Sequence, residues 1–316
     1  MGSSAVALSG LSLRDLEYLI ALAEHRHFGR AAEACHVSQP ALSAQIRKLE
    51  ELLRVRLFER TRQGVAPTRH GERILAQARR VVREAAHLLE LARSLGEPLA
   101  GPFALGAIET LGPYLFPHLL RPLCARFPRM ELALSEGRTG ELITRLISWE
   151  LDAVLVASPV HHPAVRLETL FVEPLLFLHR PDEPLARKRP LKLADLAGER
   201  LLLLEEGHCL REQALRLCGM SAAVARRHAT GLETLRHMVA AGAGYSIIPA
   251  LAARPPGELS DLLATTPFDD PEAGRTIALA FRESDPRADA LLLFARVLRE
   301  IAPPGVRTVP ASGSGG

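Results

Sequence analysis

The stretch LEYLIALAEHRHFGRAAEACHVSQPALSAQIRKLEELLRVRLFERT, residues 16–61, decides how the amino-terminal part of this chain folds. Leu13, Leu16, Leu19, Ile20 and Ala23 recur at helical spacing and give a first amphipathic helix. Phe28, Ala31, Ala32 and Cys35 begin a second, short helix, and His36 with Val37 breaks it. Ser38 stands where an N-cap hydroxyl is wanted, and Pro40 falls in the next turn, where its missing N–H costs little. Ala41, Leu42, Ile46, Leu49 and Leu53 supply the inward face of this third helix. A short helix, a brief break and a capped second helix make a helix-turn-helix, whose second helix enters the DNA major groove. Ser38, Gln39, Pro40, Ser43 and Arg47 lie at its start and on the face away from the apolar residues. Glutamine reads adenine, arginine reads guanine or holds phosphate, and proline meets a thymine methyl.

Outward from this segment the signals are consistent with it. ERTRQGVAPTRHG (59–71) carries turn glycines and a proline and reads as a two-stranded wing, with Arg60, Arg62 and Arg69 as phosphate or minor-groove contacts. A three-helix cap with a solvated basic face has the same spacing. However, Arg54, Arg56, Arg60 and Arg62 crowd one short stretch, and like charges so close are costly unless a polyanion neutralises them. Positions 47–83 hold 11 basic and 4 acidic residues, whereas 101–316 hold 24 and 25, so the overall +3 is concentrated at one end. Thr68 or His70 opens a long helix to about Leu95, roughly 42 Å at 1.5 Å per residue. Its seam, Ile74, Leu75, Ala78, Val81, Val82, Ala85, Leu88, Leu89 and Ala92, is that of a dimerisation helix. The Gly- and Pro-containing stretch 96–101 reads as a hinge.

Beyond the hinge, strand and helix alternate. FALGAIE (103–109), MELALSE (130–136) and LDAVLVAS (151–158) read as strands between helices, and such apolar strands indicate a mostly parallel sheet covered on both faces. EPLLFLHR, LLLLEEG, YSIIPA and RTIALAF, with the helices REQALRLC, LETLRHMVAAGAG and ADALLLFARVLREIA, form a second set. The expected fold class is therefore α+β overall: a winged helix-turn-helix (11–69), a linker helix (70–96), a two-subdomain α/β regulatory domain with a central cleft (97–302) and an unstructured tail (303–316). No apolar run approaches the roughly 20 residues of a membrane span, and no signal segment opens the chain. Four cysteines in 316 residues do not make a disulfide scaffold. The reading is a soluble cytoplasmic protein, in which paired cysteines need a reason other than stapling.

Cys209 and Cys218 flank LREQALRL, which reads as a helix. Nine residues of helix turn through about 900° and advance about 13.5 Å. A disulfide needs Cα atoms within about 7 Å, so the pair cannot bond while the helix is intact. Bonding would make the helix a redox-controlled bistable element, while two core cysteines need no such geometry. Cys209 lies at a helix start, which favours its thiolate, with His208 and Arg211 as further aids and Glu205 and Glu206 as opponents. Cys35 and Cys124 read as core residues, and His161 with His162 lacks metal-ligand spacing, so no metal or other cofactor is expected.

The segment 16–61 closely resembles the winged helix-turn-helix of LysR-type transcriptional regulators, and the resemblance covers roughly residues 11–300. AEHRHFGRAAEACHVSQP, GHCLREQALRLC and LETLRHMVAAGAG resemble the family's hydrogen-peroxide-sensing branch. The resemblance implies a periplasmic-binding-protein-like regulatory domain, with Cys209 as peroxidatic and Cys218 as resolving cysteine. Thr110, Thr139 and His208 would form the peroxide pocket, with Arg236, near the switch region, as a further pocket residue. It further implies double-stranded DNA carrying an interrupted palindrome, a dimer and tetramer, RNA polymerase as a partner, and glutaredoxin or thioredoxin as reductant. Gly219 after Cys218, where the family has an aromatic, and the basic AVARRHATG (223–231) depart from the pattern. The expected function is a peroxide-switched regulator of antioxidant genes, not an enzyme. The competing readings are a metabolite-gated regulator with incidental cysteines, a thiol peroxidase, and a repressor released on oxidation.

Overall fold

In the computed structural model the described residues are 10–61, 64–93, 99–196, 198, 200–220, 228–254 and 257–308. The chain divides into two compact units, Met1–Leu95 and Gly96–Gly316. No helix among the described residues is long and apolar enough to cross a membrane.

The first unit contains α1 (Leu13–His25), α2 (Phe28–Ala34), α3 (Gln39–Leu53), the hairpin β1 (Phe58–Thr61) and β2 (Gly64–Pro67), and α4 (Arg69–Arg93). Local chemistry sets each start. Ser12 and Asp15 form a reciprocal capping box on α1, His27 Nδ1 accepts from Gly29 and Arg30 N–H at α2, and Ser38 Oγ accepts from Ala41 N–H at α3. Thr68 Oγ1 accepts from Gly71 N–H at α4 and donates to Arg56 carbonyl oxygen. A Cβ at Gly71 would stand 2.0 Å from Leu57 carbonyl oxygen, so α4 docks this closely only because position 71 has no side chain. Leu16, Leu19 and Leu22 meet Ala31, Ala32, Leu42, Ile46, Leu49, Leu57, Leu75 and Ala78 in one core. Ala41, expected inward, is exposed. It lies in the first turn of α3 beside Gln39 and Pro40, which are exposed as well. Leu75 and Ala78 belong to this core rather than to a free seam, whereas Val81, Leu88 and Leu89 are exposed.

The second unit runs β3 (Gly101–Ile108), α5 (Gly112–Arg126), β4 (Met130–Gly137), α6 (Thr139–Ile147), β5 (Ala153–Ala157), β6 (Val165–His179), β7 (Leu203–Leu204), α7 (Cys209–Leu217), β8 (His228–Ala229), α8 (Leu232–Ala240), β9 (Ser246–Pro249), β10 (Ala264–Pro267), β11 (Gly274–Arg282), α9 (Ala288–Glu300) and β12 (Arg307–Thr308). The main sheet has the order β10-β6-β11-β5-β3-β4, with β9 and β12 also paired to β6. The expectation of a mostly parallel sheet is corrected: β3 is parallel to β4 and β5, but β11 is antiparallel to β5 and β6, and β9, β10 and β12 are antiparallel to β6. The reason is β6, one 15-residue strand of which the sequence pattern reveals only the apolar second half. Its Leu170 and Phe171 enter a first core with β3, β5, β11 and α9, and its Leu175, Phe177 and Leu178 enter a second core with α7 and α8. Two cores on one continuous strand are the two subdomains. The tail expected to be unstructured contributes β12, and 309–316 lie outside the described residues, as does most of 223–231.

Candidate functional site

On the first unit, α3 presents Gln39, Pro40, Ala41 and Arg47 exposed and Ser43 half-buried, while Leu42, Ile46 and Leu49 hold its opposite face in the core. Ser38 is exposed and acts as the cap, and Arg47 Nε donates back to Ser43 carbonyl oxygen at 3.4 Å. Arg69 is exposed at the start of α4. Arg62 and the side chain of Arg60 lie outside the described residues. The exposed start of a helix with a glutamine and a basic residue on it is the arrangement a major groove receives.

On the second unit the decisive geometry comes from the parallel pair β3–β4. Ile108 and Gly137 are in register at the strand ends, so Thr110 and Thr139, each two residues further on, reach the same level. Ligands of open α/β sheets bind beyond the carboxyl ends of such strands. Cys209 arrives there as the first residue of α7, with His208 as its N-cap residue. Thr110, Arg138, Thr139, Gly207, His208 and Cys209 line a cavity of about 10 Å³, the size class of one water-sized molecule.

The polar groups around it are held in place. Arg275, on β11, donates from Nη1 to Thr110 Oγ1 (2.8 Å) and from Nη2 to Thr110 carbonyl oxygen (2.9 Å). Its Nε donates to Glu173 Oε2 at 2.9 Å, and both side chains of this pair are fully buried. Glu173 Oε1 in turn accepts from Leu251 N–H at 3.0 Å. Because Thr110 Oγ1 accepts from the guanidinium, its own O–H remains to be donated. Thr139 Oγ1 is buried with no hydrogen-bond partner among the described residues, and its hydroxyl is close enough to Cys209 to favour the thiolate. His208 is buried, with Nε2 3.1 Å from Thr230 carbonyl oxygen and Nδ1 3.6 Å from Glu109 Oε2.

Burial pushes the Cys209 thiol up from the ordinary value. Arg275, Thr139 and the Leu210 N–H pull it down, and Glu212 adds to the rise. The helix start therefore does not win over desolvation in the resting thiol. The cation that acts on the sulfur is Arg275 rather than Arg211, whose buried guanidinium instead donates to Leu204 carbonyl oxygen at 3.0 Å. Arg275 was missed in the sequence, although a lone arginine in RTIALAF and a lone glutamate in FVEPLLF are visible as charges in strands that are otherwise apolar.

Cys218 ends α7 and is buried in the second core, and burial raises its thiol to about 11. Gly219 follows in the left-handed region at φ 64°. The expectation that Arg236 belongs to the pocket is corrected: it does not line the cavity. It is buried on α8, donates to Glu233 Oε1 at 2.7 Å and to Ala252 carbonyl oxygen, and lies over the Tyr114 ring. Tyr114 also donates to Glu233 at 2.7 Å, so Arg236 ties α8 to α5. Cys35 is half-buried against the first unit's core, but Cys124, expected in a core, is exposed. On α5 it is Leu123 and Leu119 that face inward, and position 124 falls on the outer side. His161 and His162 are exposed, and no cluster able to hold a metal occurs among the described residues.

Comparison with known proteins matches residues 13–72 to the bacterial regulatory helix-turn-helix of the LysR family and residues 96–303 to the LysR substrate binding domain. The chain is 47% identical over 291 residues to the DNA-binding transcriptional dual regulator OxyR of Escherichia coli K12, covering 92% of this chain and 95% of the relative. It is 40% identical over 292 residues to a probable hydrogen peroxide-inducible genes activator of Streptomyces viridosporus, covering 92% and 94%. Among solved structures, a full-length OxyR cysteine variant from Pseudomonas aeruginosa matches with TM-score 0.73 and 41% identity, over 91% of this chain and 97% of that one. A hydrogen-peroxide-bound OxyR cysteine mutant from Corynebacterium glutamicum matches with TM-score 0.63 and 32% identity, over 92% of each chain. With both halves matched, the chain belongs to the LysR family of bacterial transcriptional regulators and, within it, to the OxyR group.

Proposed function

We propose that this protein is a hydrogen-peroxide-sensing, DNA-binding regulator of antioxidant genes, in which Cys209 is the thiol that peroxide oxidises and Cys218 the thiol that resolves it. The observation that carries the reading is the convergence of Thr110, Thr139 and His208 on Cys209 around a cavity of about 10 Å³. A cavity of this size has no room for a carboxylate metabolite, and a small oxidant is the ligand class left to it.

The Cys209 thiolate attacks one peroxide oxygen, an S–O bond forms as the O–O bond breaks, and sulfur loses two electrons to the peroxide. The departing hydroxide takes up the proton released by the thiol and leaves as water. The Thr110 O–H is a donor available to a peroxide oxygen, the Thr139 hydroxyl favours the thiolate, and Arg275 supplies positive charge where that thiolate forms. The sulfenic acid then condenses with the Cys218 thiol, giving a disulfide and a second water. One peroxide is spent per switching event, and a thiol reductant of the glutaredoxin or thioredoxin class resets the pair. This is a sensor's economy rather than a catalyst's.

The regulator binds DNA through α3 and self-associates, with α4 as the dimer helix, a tetramer on an interrupted palindrome as the working assembly and RNA polymerase as the downstream partner. Footprinting of the reduced protein before and after one equivalent of hydrogen peroxide, with Cys209→Ser and Cys218→Ser alongside, tests the reading. The expected result is a footprint that shifts on oxidation in the wild type and stays in the reduced pattern in both variants. A shift in Cys218→Ser would remove the disulfide from the mechanism, and no shift in the wild type would remove peroxide.

A further inference from the structure

Arg138 does not belong to the peroxide chemistry described above, yet it lines the same cavity. It precedes Thr139 as the N-cap residue of α6 and makes no side-chain cap bond there. Instead its Nη2 pairs with Glu205, in the loop between β7 and α7. Gly207, two residues after Glu205 and at φ 95°, lies against the Arg138 side chain: a Cβ there would stand 3.1 Å from Arg138 Cδ and 3.2 Å from Nη1. The guanidinium stem therefore passes in contact over the glycine that leads into Cys209. The side chains of Arg138 and Glu205 are 42% and 31% exposed, which puts the pair at the mouth of the cavity rather than in its floor.

We propose that Arg138, tied down by Glu205 across Gly207, is a specificity-determining residue that roofs the cavity and restricts access to Cys209 to hydrogen peroxide over alkyl hydroperoxides. The inference rests on Cys209 being the peroxide-reactive thiol. Both oxidants react in the same balanced way: the thiolate takes one oxygen, the O–O bond breaks, and water leaves from hydrogen peroxide or an alcohol from the alkyl compound. Only the second brings carbon that needs room. A pocket wall discriminates on such bulk by excluding it, and each carbon that the wall refuses weighs on the rate. A solvent-facing ion pair is a weak tie and is screened by salt, so the roof is one that ionic strength loosens.

The test is the ratio of second-order rates of Cys209 oxidation by hydrogen peroxide and by tert-butyl hydroperoxide, read by thiol-trapping mass spectrometry on the reduced full-length protein. Arg138→Met keeps bulk and removes the charge, and Glu205→Gln weakens the tie to a neutral hydrogen bond while leaving Arg138 in place. The expected result is a ratio that falls about tenfold or more in Arg138→Met and clearly in Glu205→Gln. The wild-type ratio should also fall between about 0.05 M and about 0.5 M salt. Any general loss of thiol reactivity from the missing positive charge cancels in the ratio. If Arg138→Met does not fold, the Glu205→Gln and salt arms decide. A ratio unchanged in these arms overturns the roof alone, whereas a wild-type Cys209 inert to hydrogen peroxide overturns the sensor reading and the roof with it.

Discussion

Cys209 and Cys218 are the two ends of one intact helix, and they pack into different hydrophobic cores, the first sulfur against the core of β3, β5 and β11 and the second within the core of α7 and α8. Nine residues of helix separate them by about 13.5 Å along the axis, roughly twice the Cα separation a disulfide tolerates. Leu210 and Ala214 are buried in the second core and Arg211 is bonded to Leu204 carbonyl oxygen, so α7 is anchored by its own contacts. A disulfide between the two therefore costs the helix and its packing, and these losses set the gap between the two states.

The reduced state makes a prediction about labelling. Cys124 is exposed, and Cys218 is buried with its thiol raised to about 11, which leaves about one thiolate in a thousand at pH 8. Alkylation followed by peptide mass spectrometry should modify Cys124 at least about a hundredfold faster than Cys218, with the difference collapsing in denaturant. Equal rates under native conditions would mean that the end of α7 is already open before any oxidant arrives.

Arg275 holds a structural and a chemical role that two variants separate. Its partner Glu173 is fully buried, so Arg275→Met leaves an uncompensated carboxylate and should destabilise by about 3–5 kcal/mol in urea unfolding. Adding Glu173→Gln should restore most of that stability. It should not restore the rate of Cys209 oxidation by peroxide, because neither the charge that favours the thiolate nor the donor to Thr110 returns. Recovery of both in the double variant would confine Arg275 to holding the fold.

These residues also show where the sequence was legible. The headpiece could be read because its signals are local: Ser38 three residues before the N–H it accepts from, and apolar residues at helical spacing. The pocket roles of Thr110, Thr139 and His208 came from resemblance to a family, and the in-register ends of β3 and β4 explain why Thr110 and Thr139, far apart in sequence, meet. Arg275 and Glu173 stand 102 positions apart, and no spacing rule connects them. β6 was half hidden because its first residues are only partly buried and alternate with charge, and Cys124 was misplaced because an apolar neighbourhood in sequence does not fix which side of α5 a residue takes.

Stability should fall at alkaline pH for a reason that can be assigned. The Cys218 thiol is raised from 9.0 to about 11 by burial, so between these values the unfolded chain loses a proton that the folded chain keeps. Stability that is fully present below about pH 9 is then lost as pH rises through the window and levels off above about 11. Cys218→Ala should flatten this limb in urea titrations of the reduced protein at pH 8, 9.5 and 11 (roughly spanning the window). An identical limb in the variant would assign the loss to other groups.

α4 carries exposed leucines beyond the part that packs in the headpiece core. Sequence periodicity runs the apolar seam along the whole helix, but Leu75 and Ala78 are consumed by the headpiece core, and Leu88 and Leu89 are 68% and 57% exposed. Two adjacent leucines held out to water on a helix this long are costly unless a second copy covers them. Charged residues there would be buried against that copy or would prevent it from docking. Leu88→Glu with Leu89→Glu should therefore shift the protein toward monomer in sedimentation velocity while the headpiece melts normally, because neither side chain belongs to its core. DNA affinity should fall with the assembly, since each protomer would then hold only one half-site. Unchanged sedimentation would place self-association elsewhere on the chain and leave the exposed leucines of α4 without a role in it.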